Sequence, residues 1–163
     1  MSGFDEVRWE EGEIDGCVIT PLKKFSDNRG WLAEFFRHDD LPDVLHPKMG
    51  YLSLTHAGVK RGPHEHKEQA DLFLFFDGIF RLYLWDARPD SPTFRSRRRI
   101  DAGHLHPVAV IIPPGVVHAY RNAGEHDAYS INCPNRLYAG EGKKGPVDEI
   151  RHEDVESTPF VLD

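Results

Sequence analysis

Proline and glycine cut this chain into pieces too short for anything but strands and turns. Twelve prolines and fourteen glycines recur about every eight to twelve residues, a rhythm that predicts an all-β sandwich or barrel. Candidate strands are Cys17–Thr20, Trp31–Arg37, Tyr51–His56, Leu72–Phe76, Ile79–Trp85, Arg95–Ile100, Val108–Ile112, Val116–Arg121 and Ala128–Asn132. Asp77-Gly78, between two β-rich runs, predicts a two-residue type I′ hairpin, because glycine tolerates the positive φ such a turn needs. Beyond it, Phe80, Leu82 and Leu84 alternate with Arg81, Tyr83 and Trp85, the period-two pattern of a strand with two distinct faces. Pro113-Pro114-Gly115 marks a second reversal, and only Asp39–Leu45 has room for a helical turn. There is no internal repeat and no low-complexity tract.

At 163 residues the chain has the length of one domain. The expected division is a core of residues 17–135 with a polar segment, Tyr138 to Asp163, lying over it. The net charge of −7 disfavours a nucleic-acid partner or an anionic membrane surface. Apolar runs such as Leu72–Phe76 and Val108–Ile112 are strand-length, far below the ~20 residues of a membrane span. The first residues, Met1 to Glu11, show no secretory signal. Two cysteines, Cys17 and Cys133, are too few for a disulfide framework and suit a reducing cytoplasm.

The chemistry concentrates in two motifs. Gly58, His64, His66, Asp71 and Gly78 form the first; Pro113, Gly115, His118 and Asn122 form the second. His64 and His66, two apart, share one face of a strand. Three imidazoles and the Asp71 carboxylate converging inside a small barrel could hold Fe, Mn, Ni or Zn. The plainer alternative is a set of barrel-interior histidines satisfied by Asp71 and water. This spacing resembles the paired motifs of the cupin superfamily, antiparallel β-barrels or jelly rolls in which three His and one Glu hold a metal. Asp71 stands in the Glu position, and Pro107 replaces the glycine that opens the second motif.

A narrower resemblance follows from several blocks in order: Asp27-Asn28-Arg29-Gly30 with Glu34-Phe35, Arg61-Gly62-Pro63-His64, Asp86-Ala87-Arg88 with Ser91-Pro92-Thr93-Phe94, and Pro113 to Tyr120. Together they resemble the dTDP-4-dehydrorhamnose 3,5-epimerase family over residues 20–135. The resemblance implies an epimerase acting on a 4-keto-6-deoxy nucleotide sugar by proton abstraction beside the ketone. It implies no required cofactor, and a homodimer formed through the sheet edge. By position, Arg29 and Arg61 would hold the diphosphate, Glu34 would position nucleotide or sugar, and His118 and Asn122 would complete the binding site. His64 would be the base, with Asp148 or Asp154 as its carboxylate partner. Tyr138, with Tyr129 as second candidate, would return the proton on the opposite face.

The chain departs from that family at the place that matters most. Asp71 occupies the position of a lysine that sits near the enolate oxygen, and an anion there opposes enolate formation unless a cation or proton intervenes. Tyr51 stands where the family commonly has Asn. If a divalent metal takes the lysine's place, His64 becomes a ligand and Tyr138 or a water must accept the proton.

Other features read as structure. Arg95, Arg97, Arg98 and Arg99 form the solvated face of a strand, blunting an exposed edge. His104 and His106 mimic a second His-x-His but have no carboxylate at useful spacing. Gly140 to Gly145 lacks the Gly-Lys-Ser/Thr ending of a phosphate loop. Trp31, Phe35, Trp85 and Tyr120 are core candidates, and Cys133 sits at a strand end before Pro134.

Overall fold

A computed structural model describes residues 7–163. The strands are β1 (Glu10–Glu11), β2 (Val18–Pro21), β3 (Phe25–Asp27), β4 (Gly30–Leu32), β5 (Tyr51–Thr55), β6 (Lys60–Glu65) and β7 (Asp71–Phe75). They continue as β8 (Ile79–Asp86), β9 (Ser96–Gly103), β10 (Val108–Ile112), β11 (Val116–Asn122), β12 (Ala128–Asn132) and β13 (Ile150–Arg151). Two sheets face each other, one ordered β1-β9-β8-β11-β6-β13 and the other β2-β10-β7-β12-β5. Every pairing is antiparallel except the short contact of β1 with β9. The expected antiparallel jelly-roll architecture is therefore present.

The core lies between the sheets. Phe73 and Phe75 from β7, Phe80, Leu82 and Leu84 from β8, Val110 and Ile112 from β10, and Tyr120 from β11 form one buried cluster. The alternation along β8 explains a second cluster. Its odd-numbered residues, Tyr83 and Trp85, face away from the first core and pack with Val117, Ala119 and Phe160. Burying those aromatics contributes about 1.5–3 kcal/mol for each large side chain. The segment after Tyr138 supplies the cover: Phe160 packs on Trp85, and the indole of Trp9 donates to the Pro159 carbonyl at 3.0 Å.

Several local expectations are corrected. Asp77-Gly78 does not join a hairpin, since β7 and β8 belong to different sheets. A type I′ turn needs positive φ at both central residues, whereas Gly78 has φ of +53° and Asp77 has none. Asp77 instead accepts the Tyr129 N–H at 2.9 Å, and a Cβ on Gly78 would meet Ala128 Cβ at 2.4 Å. The dipeptide is a corner between sheets.

Trp31–Arg37 is strand only to Leu32, because β4 pairs with β3 alone in a two-stranded ribbon with solvent on both sides. Trp31 is exposed, with the Lys24 ammonium over its ring at 4.6 Å, so it is not core. Asp39–Leu45 carries two 3₁₀ turns, His38–Asp40 and Asp43–Leu45, where one turn is expected. Nor is β9 an open edge: Arg97 lies against the Tyr83 and Trp85 rings and pairs with Asp163. Four strands have no counterpart among the candidates, the short β1, β3 and β13 and the longer β6, whose pattern Gly62-Pro63 disguises.

Candidate active site

β6 and β11 bring the first two imidazoles together. His118 lies opposite His64 in the antiparallel register, and their ring centroids are 4.5 Å apart. Gly62 makes this approach possible. It has φ of +83°, and a Cβ there would come within 2.6 Å of the His118 carbonyl and 3.1 Å of His64 Nδ1. His66 follows at the end of β6, and Asp71 opens β7 in the facing sheet. His64, His66 and His118 each present a nitrogen within 4.8 Å of the others. His118 and Asp71 are fully buried.

Asp71 uses its two oxygens differently. Its Oδ1 accepts from the side-chain amides of Gln69 and Asn132, each at 2.9 Å. Its Oδ2 lies 3.2 Å from His66 Nε2 and 3.3 Å from His118 Nε2. Ring chemistry then constrains the tautomers. His118 Nδ1 lies 3.1 Å from the Val116 carbonyl, and His66 Nδ1 contacts the Asp148 carbonyl. A carbonyl only accepts, so both Nδ1 atoms carry the proton. In the neutral rings Nε2 is therefore a lone pair, and two lone pairs face one carboxylate oxygen. His118 Nε2 is buried without a hydrogen-bond partner. Such an arrangement calls for a cation or a proton in its midst.

The electrostatics agree. Burial, reinforced by His118 and His66, lowers His64 to about 2, so that ring is neutral. Burial also pulls His66 down, but the hydrogen bond and charge of Asp71 outweigh it and lift His66 to about 9. Asp71 is held well below the usual carboxylate range: burial raises it, and the neighbouring His118 and His66 imidazoles more than reverse this. Without a metal, the site at neutral pH holds its compensating charge as a proton on His66.

His66 brings the cluster to the wall of a cavity of about 1380 Å³, which Tyr51 and Tyr138 also line. Lys48, Lys67 and Arg136 are its cations. The Tyr51 hydroxyl accepts from Asn132 Nδ2 at 2.9 Å, one link from Asp71. Burial and then the Asp71 charge push the Tyr51 phenol up to about 12.

Of the other expected site residues, Arg29 pairs with Asp27 on the exposed β3–β4 ribbon, and Glu34 pairs with Arg37 in solvent. Neither lines this chain's cavity. Arg61 is exposed, with its guanidinium on Thr55 Oγ1 and the Leu54 carbonyl at the β5 edge. Asn122 is corrected from substrate contact to structure. It is fully buried, and its amide is spent on the Thr55 and His126 carbonyls and the Gly124 N–H.

The carboxylate beside His64 is neither Asp148 nor Asp154. Asp148 accepts from the backbone N–H groups of Lys67, Glu68 and Gln69, and Asp154 pairs with Arg151. Glu153 stands there instead, its Oε2 3.9 Å from His64 Nδ1. Nothing in local spacing identifies Glu153, since it arrives from the far end of the chain. Gln69 and Asn132 escape the sequence reading too, although Gln69 is only two residues from Asp71.

Comparison with known proteins agrees with this architecture. The family model for dTDP-4-dehydrorhamnose 3,5-epimerase matches residues 11–155. The spore coat polysaccharide biosynthesis protein SpsL of Bacillus subtilis is 38% identical over 112 residues, covering 69% of this chain and 74% of that protein. The probable low-salt glycan biosynthesis epimerase Agl13 of Haloferax volcanii is 33% identical over 126 residues, covering 77% and 81%. Among solved structures, a dTDP sugar isomerase from Desulfovibrio desulfuricans superposes with a TM-score of 0.77 at 19% identity, covering 92% of this chain and 91% of that one. A Legionella pneumophila epimerase, solved in complex with dTDP-4-keto-L-rhamnose, gives 0.75 at 20% identity, covering 93% and 80%. The structural likenesses carry the fold; the family match over most of the chain, with two relatives above 30% identity, carries the kinship. The chain belongs to the dTDP-4-dehydrorhamnose 3,5-epimerase family, nucleotide-sugar epimerases of the cupin superfamily.

Proposed function

We propose that this enzyme inverts carbon next to the C4 ketone of a 4-keto-6-deoxy nucleotide sugar. The observation that carries the reading is the meeting of three imidazoles and Asp71 at the wall of a cavity lined by two phenols. The cavity is large enough for a nucleotide sugar, since pockets for smaller ligands occupy about 300–1,000 Å³. The ketone makes the neighbouring C–H acidic, and inversion needs a proton taken from one face and returned on the other.

Two roles for His64 exclude each other, base and metal ligand. The Nε2 lone pairs that His66 and His118 turn toward Asp71 favour the ligand role, with His64, His66, His118 and Asp71 as an N/O donor set suited to Fe, Mn, Ni or Zn. These four residues would hold a divalent cation, which would supply the Lewis acidity that the family's lysine otherwise provides. No organic cofactor enters. Tyr138 then accepts the proton. Tyr51, kept protonated by burial and by Asp71, donates on the other face. Lys48, Lys67 and Arg136 offer charge to the diphosphate from within the chain.

Arg29 and Glu34 fit the nucleotide from a second copy. The ribbon that carries Arg29 exposes Phe25, Trp31 and Leu32, and the β5 edge exposes Leu52. We take the enzyme as a homodimer in which this ribbon reaches the partner's cavity, and residues 1–163 as one cupin domain. Among the described residues no helix is long and apolar enough to cross a membrane. Both cysteines are free, in keeping with a cytoplasmic enzyme. The test is a thermal-shift screen of thymidine- and uridine-linked 4-keto sugars, followed by proton NMR of the products. A raised midpoint with inverted product supports the reading; no shift and no inversion with any of them overturns it.

A further inference from the structure

The four candidate ligands lie on β6, just after it, on β7 and on β11, yet two of the three groups that face the imidazole Nδ1 atoms come from the C-terminal segment. His66 Nδ1 contacts the Asp148 carbonyl. His64 Nδ1 faces Glu153 Oε2 at 3.9 Å, an ion-pair distance beyond hydrogen-bond reach. Only His118 is oriented from its own strand, by the Val116 carbonyl. His64 Nδ1 and Glu153 Oε2 are both buried and otherwise unpartnered.

The segment is fastened at this point. The Asp148 carboxylate accepts three backbone N–H groups of the loop after His66, at 2.8, 2.9 and 2.9 Å. Ile150 and Arg151 pair with Glu65 and His64 as β13 on β6. His152 Nε2 bonds Glu65 Oε1 at 2.9 Å, and Arg151 bonds Glu153 Oε1 at 2.9 Å. Metal-binding histidines use such a partner on the far nitrogen to fix tautomer and ring orientation.

We propose that residues 148–153 are the outer wall of a divalent-cation site, with Glu153 and Asp148 as positioning residues for His64 and His66. This rests on the cation reading above and adds to it. Glu153 makes the His64 ring more basic at Nε2 and compensates charge brought by the ion. Asp148 acts indirectly, since its carboxylate fixes the loop and thereby holds its carbonyl against His66. The covering segment is thus part of the site's chemistry as well as a lid on the Trp85 face.

The test is titration of metal-free full-length protein with Zn²⁺ by calorimetry and with Co²⁺ by visible absorption, beside apo-protein melting curves. The expected result is one ion per chain, lost in His118→Ala and unchanged in His104→Ala. Glu153→Ala and Asp148→Ala should bind roughly 10–100-fold more weakly, with an altered Co²⁺ spectrum. Glu153→Gln, which keeps an acceptor oxygen, should recover part of the affinity. If the wild type takes up one ion and the Glu153 and Asp148 variants bind it equally well, the wall has no such role, while the cation site stands. Failure of the wild type to take up stoichiometric metal overturns both, leaving the epimerase reading to its own test. Apo melting midpoints near wild type confirm that a weakened variant is folded; if Glu153→Ala melts early, the Glu153→Gln comparison decides.

Discussion

His118 Nε2 lies 3.3 Å from Asp71 Oδ2, with both side chains 1% exposed. Removing the Asp71 charge while keeping its shape therefore strikes the site and little else. Asp71→Asn should lose stoichiometric metal and lower turnover by about 10²–10³-fold, the scale of losing an electrostatic stabiliser. Steady-state kinetics and metal analysis on the same preparation check this.

Chelation separates the two roles of His64. Enzyme stripped of metal should lose turnover and regain it when a divalent ion returns, with Lewis-acid stabilisation worth several kcal/mol. Chelated, demonstrably metal-free enzyme that keeps full turnover would return His64 to the role of base. In that case Glu153, beside its Nδ1, would be the orienting carboxylate.

The two phenols should fail differently. Tyr138→Phe should abolish exchange of the acidic C–H with solvent, a loss of about 10²–10⁴-fold. Tyr51→Phe should leave exchange but suppress inversion. Proton NMR in deuterated buffer reads both. Equal retention of inverted product in the two variants contradicts the assignment.

Complementation tests the shared site. Arg29→Ala and His118→Ala proteins, each weak alone, should regain activity on mixing, because one hybrid cavity keeps an intact ribbon and an intact cluster. No regain, with exchange of subunits verified by light scattering and mass spectrometry, argues against a partner-supplied Arg29.

Asp86 should govern acid stability, apart from catalysis. It is fully buried and bonded by Arg88, Ser91 and Thr93, the last two at 2.5 and 2.6 Å. Burial raises its pKa, but the hydrogen bonds, Arg88 foremost, outweigh it and hold the carboxyl below its ordinary value. A depressed folded pKa gives stability present above the unfolded value of about 4, lost as pH falls toward the folded one. Asp86→Asn should cost about 3 kcal/mol at neutral pH and flatten the decline in melting temperature below about pH 4. A variant with the wild-type acid profile contradicts this.

Strand positions were legible wherever apolar runs sit between turn residues, as in β7, β10 and β12. Ladder partners were not. Asp77-Gly78 has the composition of a hairpin, but sheet assignment depends on long-range packing against Ala128 that no local pattern records. The His64, His66, Asp71 and His118 cluster was legible because its spacing encodes strand geometry directly. Glu153 and Asn132 were not, since they join the site from segments distant in sequence. The surroundings of Arg29 and Glu34 were not legible: Arg29 pairs with Asp27 on the exposed ribbon, and Glu34 pairs with Arg37 in solvent.

The most direct test of the central claim, proton transfer beside the ketone at this cavity, is turnover of the 4-keto-6-deoxy nucleotide sugar in deuterium oxide, read by NMR and mass spectrometry. One deuterium should appear at each inverted carbon, and none in the His118→Ala variant. Inverted product that keeps its original hydrogen would contradict the account.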